Sequence, residues 1–186
     1  FKIGIGSNFT LNGTINPDFG QVDADPADLN LSAFETFFEE KRPFFLEGTD
    51  IFQFGKTRTF KSSSPSIFYS RRIGRNPRGS IQSSDARYEN DPQQTNILSA
   101  LKFSGKTPKG LSFGIMDAIT AQEDAFYIDS SNTEKSQSIE PFSNSLVLRL
   151  KQDLRKGKMN FGGFLTHRNQ SLSSDYLDSL FLSDAY

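Results

Sequence analysis

The sequence predicts an all-β chain: part of an antiparallel, up-and-down transmembrane β-barrel with an irregular plug or cap segment containing a short helix. Three observations predict it. Apolar and polar residues alternate in runs of about ten, the period of a strand with two unlike faces. Hydrophobic content is only 35% although Phe occurs 19 times, which suits weakly hydropathic strands carrying aromatic side chains. Short turns and long connections fall at opposite ends of the strand array, as they do in outer-membrane barrels.

The first element is a hairpin over residues 1–16. Phe1, Ile3 and Ile5 alternate with Lys2, Gly4 and Gly6. After a turn at Ser7-Asn8, Phe9, Leu11, Gly13 and Ile15 alternate with Thr10, Asn12, Thr14 and Asn16. Because Phe1 already sits in strand rhythm with no initiator Met, the sequence is expected to be a piece of a longer chain.

Residues 17–95 lack periodicity and form the expected plug. Pro17 to Asp50 carries nine acids and two bases, whereas Ile51 to Ser80 carries seven bases and no acid. Such blocks can fold against each other. A short helix is expected from about Leu31 to Glu39, capped by Asn30 or Ser32 and ended by Pro43. The rest reads as loop, broken by Pro65, Pro77 and Pro92. Asn30 to Gly48 mixes five Phe with four Glu and the Lys41-Arg42 pair. That mixture is expected where a segment packs on the polar inner wall of a barrel.

Residues 96–186 return to strands. Asn96–Gly105 meets Leu111–Thr120 across the Lys106–Gly110 turn. Ser145–Leu154 places Leu146, Leu148 and Leu150 on one face and Val147, Arg149 and Lys151 on the other. It meets Met159–Arg168 across Arg155–Lys158, and Ala121–Asn144 reads as a long polar loop. Six strands are too few to close a barrel of this type, so further strands from the rest of the chain or from another chain are expected as partners.

A net charge of −1 gives no footprint for nucleic acid and no polybasic membrane anchor. The absence of cysteine excludes disulfides, thiol catalysis and thiolate zinc sites. No run of about 18 apolar residues exists, so no transmembrane helix is expected. Gly4-Ile5-Gly6 lacks the third glycine of a dinucleotide loop and lies in a strand, and no cofactor is expected.

The candidate ligand-binding residues are Arg71, Arg72, Arg75 and Arg78, since guanidinium groups take phosphate or carboxylate bidentately. The competing reading pairs them with the acidic block as struts of the plug. Asp23, Asp25 and Asp28 offer hard oxygen ligands but lack the spacing of a calcium loop, and no metal is assigned. Glu39, Glu40 and Glu47 are the carboxylates a glycosidase would need, though adjacency on a charged segment is weak support. His167 stands at a strand end with no nucleophile placed by spacing. Phe126, Tyr127, Tyr176, Phe181 and Tyr186 fall in or near long loops, where they can stack on sugar rings, form an interfacial girdle or pack the loops.

The stretches "INPDFGQVDADPADLNLSAFETFFEEKRPFFLEGTDIF" and "FYSRRIGR" resemble a family of Bacteroidota outer-membrane proteins. There, a domain similar to a family 9 carbohydrate-binding module precedes a β-barrel domain of unknown function. The resemblance continues through "TNILSALKFSGKTPKGLSFGIMDAIT" and "NSLVLRLKQDLRKGKMNFGGFLTHRNQ". It implies the outer membrane as location, membrane lipid as surroundings, and a non-enzymatic role in transport or surface handling of an anionic or glycan-derived ligand. The alternatives are a membrane-associated glycan hydrolase or carbohydrate-binding protein, as some family members are labelled, and a soluble β-rich interaction domain.

Overall fold

The computed structural model describes residues 1–17, 38–52, 68–155 and 158–182. Nine strands occur among them: β1 (Lys2–Ile5), β2 (Phe9–Ile15), β3 (Tyr88–Asn90), β4 (Ile97–Lys106), β5 (Leu111–Thr120), β6 (Glu123–Ile128), β7 (Glu134–Glu140), β8 (Phe142–Leu154) and β9 (Met159–Ser171). Six of them form one antiparallel sheet in the order β1-β2-β4-β5-β8-β9. These are the six strands that the alternation predicts. β1 and β9 are the edges, so the sheet is open among the described residues.

Cross-strand register gives the sheet two different faces. Ile3, Leu11, Phe103, Ile115, Leu148 and Leu165 stand opposite one another in an apolar row across all six strands. Directly opposed residues share a face. The adjacent row holds Phe9, Phe113 and Leu150, and the rings of Phe9, Phe103 and Phe113 pack with centroids 5.1–6.0 Å apart. Nothing within the described residues covers this face: Ile115 is 41% exposed and Leu150 56%. The opposite face mixes small, polar and apolar residues, with rows Thr10-Ser104-Gly114-Arg149, Asn12-Lys102-Met116-Val147-Thr166 and Thr14-Ala100-Ala118-Ser145-Arg168.

That second face is covered by the middle of the chain. Helix α1 (Pro43–Leu46) and helix α2 (Thr49–Phe52) are single turns joined through Gly48. Pro43 therefore starts a helix where the sequence reading has it ending one. Proline's fixed φ and missing N–H fit a first helical position, where that donor has no intrahelical partner. Most of the expected Leu31–Glu39 helix lies outside the described residues, and Phe38 and Glu39 are not helical. Phe45, Phe52 and Ile73 pack on Ala100, Met116, Ala118 and Val147 to form the core. Small wall residues make room for rings; a Cβ at Gly114 would lie 2.7 Å from the Phe52 ring. Burying Phe45, Phe52 and Ile73 stabilises this contact by roughly 5–9 kcal/mol in transfer terms.

Two predicted loops prove ordered. Ala121–Asn144 contains β6 and β7, which continue the β5/β8 hairpin and join β3 in a three-stranded sheet. The segment after β9 forms helix α3 (Asp175–Leu182), whose Leu177 is buried. Both lie at the long-connection end of the large sheet.

Candidate functional site

Among the described residues, the arginine run and the inner face of the large sheet enclose a cavity of about 470 Å³. Its charged lining comes from Arg72, Arg75 and Arg78 of the covering segment and Arg168 of β9. Ser145 and Thr166 add hydroxyls, and Phe68, Tyr69, Ile73 and Val147 add apolar walls. His167 also lines it; Arg71 does not.

Local sequence positions the run. Ser70–Arg72 forms one 3-10 turn, with Ile73 buried beyond it. Gly74 has φ +73, and a Cβ there would stand 2.9 Å from the Ile97 side chain. Only glycine adopts that backbone without strain while the chain passes this close to β4. The carbonyl of Arg75 then accepts the Thr95 N–H at 2.9 Å.

Arg42 anchors the segment to itself. Its Nε and Nη2 bind the two Glu40 oxygens, each at 2.8 Å, and its Nη1 and Nη2 donate to the carbonyls of Ile73 and Ser70. Its guanidinium also lies 4.3 Å over the Phe45 ring. Burial works to raise the Glu40 pKa, but the bonds and charge of Arg42, with a bond from Ser70, outweigh it and hold the carboxyl below its ordinary range. Lys102, 1% exposed on the sheet's inner face, donates to the carbonyls of Phe44 and Glu47 and so ties α1 to the wall.

Glu140 is the buried counter-charge of the cleft. It ends β7 and is 2% exposed. Its Oε2 accepts the Arg78 N–H at 3.0 Å. Its Oε1 lies 3.5 Å from Arg168 Nη2 and 3.8 Å from Arg75 Nη2. Burial raises the Glu140 pKa, only partly offset by the Arg78 N–H and the charges of Arg168 and Arg78. Buried Nε and Nη2 of Arg75 have no hydrogen-bond partner. Such a cleft can hold an oxyanion.

The predicted site residues thus divide. Arg72, Arg75 and Arg78 reach the cleft together, whereas Arg71 donates to the Glu39 carbonyl at 2.6 Å. Arg78 also stacks 4.5 Å from the Phe181 ring. Arg168 and Glu140 are the members that sequence reading missed. They lie far from the run in the chain, and Glu140 sits in a polar stretch with no periodic signal.

The other candidates lie elsewhere. Asp23, Asp25, Asp28 and Tyr186 fall outside the described residues. No cluster of three metal-ligating side chains occurs among those described. Glu40 is engaged by Arg42, and Glu47 pairs with Lys2. Phe126 is exposed on the small sheet, and the Tyr176 hydroxyl accepts the Ser80 N–H at 3.1 Å.

Residues 1–159 match the family described as Domain of unknown function (DUF5916). No curated protein and no solved structure matches the sequence. On the length of that match, most of the described sheet included, the chain belongs to the DUF5916 family.

Proposed function

We propose that the large sheet is a section of an outer-membrane β-barrel wall. In this reading β1 and β9 pair with further strands, and the described covering residues, Phe45, Phe52 and Ile73 among them, belong to a plug on the luminal face. The observation that carries the reading is the unbroken apolar row from Ile3 to Leu165 on a face that no described residue covers, while the covered face mixes small, polar and apolar residues. A membrane barrel carries such an apolar band outward to lipid, whereas a water-soluble sheet covers its apolar rows.

Dimensions agree. β4 and β5 have ten residues each. At about 3.4 Å per residue and a tilt of about 40°, such a strand spans about 26 Å, close to the height of a barrel's apolar band. On the long-connection side polar residues enter this face at Asp117, which accepts a hydrogen bond from Asn144 at 2.8 Å, and at His167 and Asn169, beside the apolar Ile15 and Ile119. Lys106, Lys151 and Asp153 pair at the short-turn end.

The role that fits is transport or surface handling of a ligand, glycan-derived or anionic, through or above the lumen. The middle-zone acids Glu40 and Glu47 are held by Arg42 and Lys2, which favours a wall and plug over a hydrolytic centre. The test is to separate inner and outer membranes and run the full-length protein on a gel with and without boiling. Outer-membrane recovery with a heat-dependent mobility shift is expected. A soluble protein with no shift would overturn the reading.

A further inference from the structure

We infer that the cleft between the arginine run and β9 is a binding site for a small soluble oxyanion, a carboxylate or phosphate, held by Arg75 and Arg168. The site is built within this chain, so the inference does not depend on the sheet being a barrel wall.

The first argument is charge. Arg75 and Arg168 face a single oxygen of Glu140, at 3.8 and 3.5 Å. Charge-assisted N–H···O bonds ordinarily measure about 2.7–2.9 Å. Two cations thus share one carboxylate loosely, and one positive charge of the three groups is left over. A partly desolvated excess cation is costly until an anion joins it.

The second argument is hydrogen bonding. Nε and Nη2 of Arg75 form the side-on fork that grips a carboxylate or phosphate bidentately, and neither has a hydrogen-bond partner. Both nitrogens are buried, so the Arg75 side chain must turn toward the cavity to present this fork to an incoming oxyanion. Arg168 Nη2 donates a long hydrogen bond to Ser143 Oγ, at 3.4 Å, beside its ion pair with Glu140.

The third argument is access. The Arg75 and Arg168 side chains are 29% and 31% exposed, while that of Glu140 is 3% exposed. Parts of both arginine side chains therefore line the cavity, with the Arg75 Nε and Nη2 themselves buried, and the carboxylate sits behind them. A cavity of about 470 Å³ accepts a molecule, not merely an ion. Its mixed wall of Phe68, Ile73, Ser145 and Thr166 suits a compact polar body bearing one acidic group. Bound anion and Glu140 compete for the same two guanidinium groups.

Calorimetric titration of the full-length protein, in detergent or in buffer as fractionation dictates, tests this with three probes: glucuronate, inorganic phosphate and neutral glucose. Glucuronate or phosphate is expected to bind, more weakly as salt rises, and glucose is not. A preference for glucuronate would assign a carboxylate ligand, and a preference for phosphate a phosphoester. Arg75→Gln and Arg168→Gln are each expected to weaken binding by about tenfold or more. Glu140→Gln keeps an acceptor for the Arg78 N–H but removes the competing charge, so it is expected to tighten binding. Opposite signs for these variants cannot come from misfolding alone. Absence of binding by both anions, or arginine variants that bind like the wild type, would overturn the inference.

Discussion

Leu150→Arg is the substitution whose outcome depends most on what touches the apolar face. Leu150 stands on β8 between Phe113 of β5 and Gly163 of β9 and is 56% exposed within this chain. If water covers that face, arginine replaces a half-exposed leucine and stability changes by no more than about 0.5 kcal/mol. If lipid covers it, the guanidinium enters the hydrocarbon, at a cost of about 2–4 kcal/mol near the midplane. The control is Asn169→Arg. Asn169 is six residues beyond Gly163 on β9 (169 − 163), at the level of Asn144. At about 3.4 Å per residue and a tilt of about 40°, that is about 16 Å along the membrane normal. This lies outside half of an apolar band about 25 Å tall, where the cost falls to about 0–1 kcal/mol. The assay is urea unfolding of the full-length protein folded into lipid vesicles. A gap of about 2 kcal/mol or more between the two variants is expected. Equal effects, each within about 0.5 kcal/mol, would refute the membrane-facing reading.

Lys102→Met keeps the bulk of the side chain but removes the donors to Phe44 and Glu47. Two carbonyls left without them should cost at least about 2 kcal/mol, with faster proteolysis within residues 38–52; an unchanged digestion pattern would contradict the anchoring role. Gly114→Val pushes on Phe52 and Ile51 and should destabilise by about 1–3 kcal/mol, read by thermal unfolding. Glu40 has a lowered pKa when folded, so its contribution is fully present above the ordinary value of 4.5 and is lost as pH falls through the lower folded value. Glu40→Gln should therefore cost about 2 kcal/mol at neutral pH, and the difference should vanish in acid; a pH-independent difference would count against the Arg42 pairing.

The sequence by itself determined the six strands of the large sheet and which residues share each face. Alternation is a local property: once Leu146, Leu148 and Leu150 occupy every second position of a strand, they must point one way. It also indicated the asymmetry of turns and connections and drew attention to the arginine run. It did not show β6 and β7, because Glu134–Glu140 has little apolar alternation and owes its strand form to pairing with β6 as an extension of the β5/β8 hairpin. Nor did it show that Pro43 opens a helix, since α1 gains from burying Phe45 on the wall more than from its own propensity. Only the tertiary structure decided the cleft. Arg75, Glu140 and Arg168 are brought together by the path of the covering segment and the register of β8 with β9, and no spacing within one segment encodes a contact between three. Local periodicity fixes the direction of a side chain, but long-range packing decides what it meets.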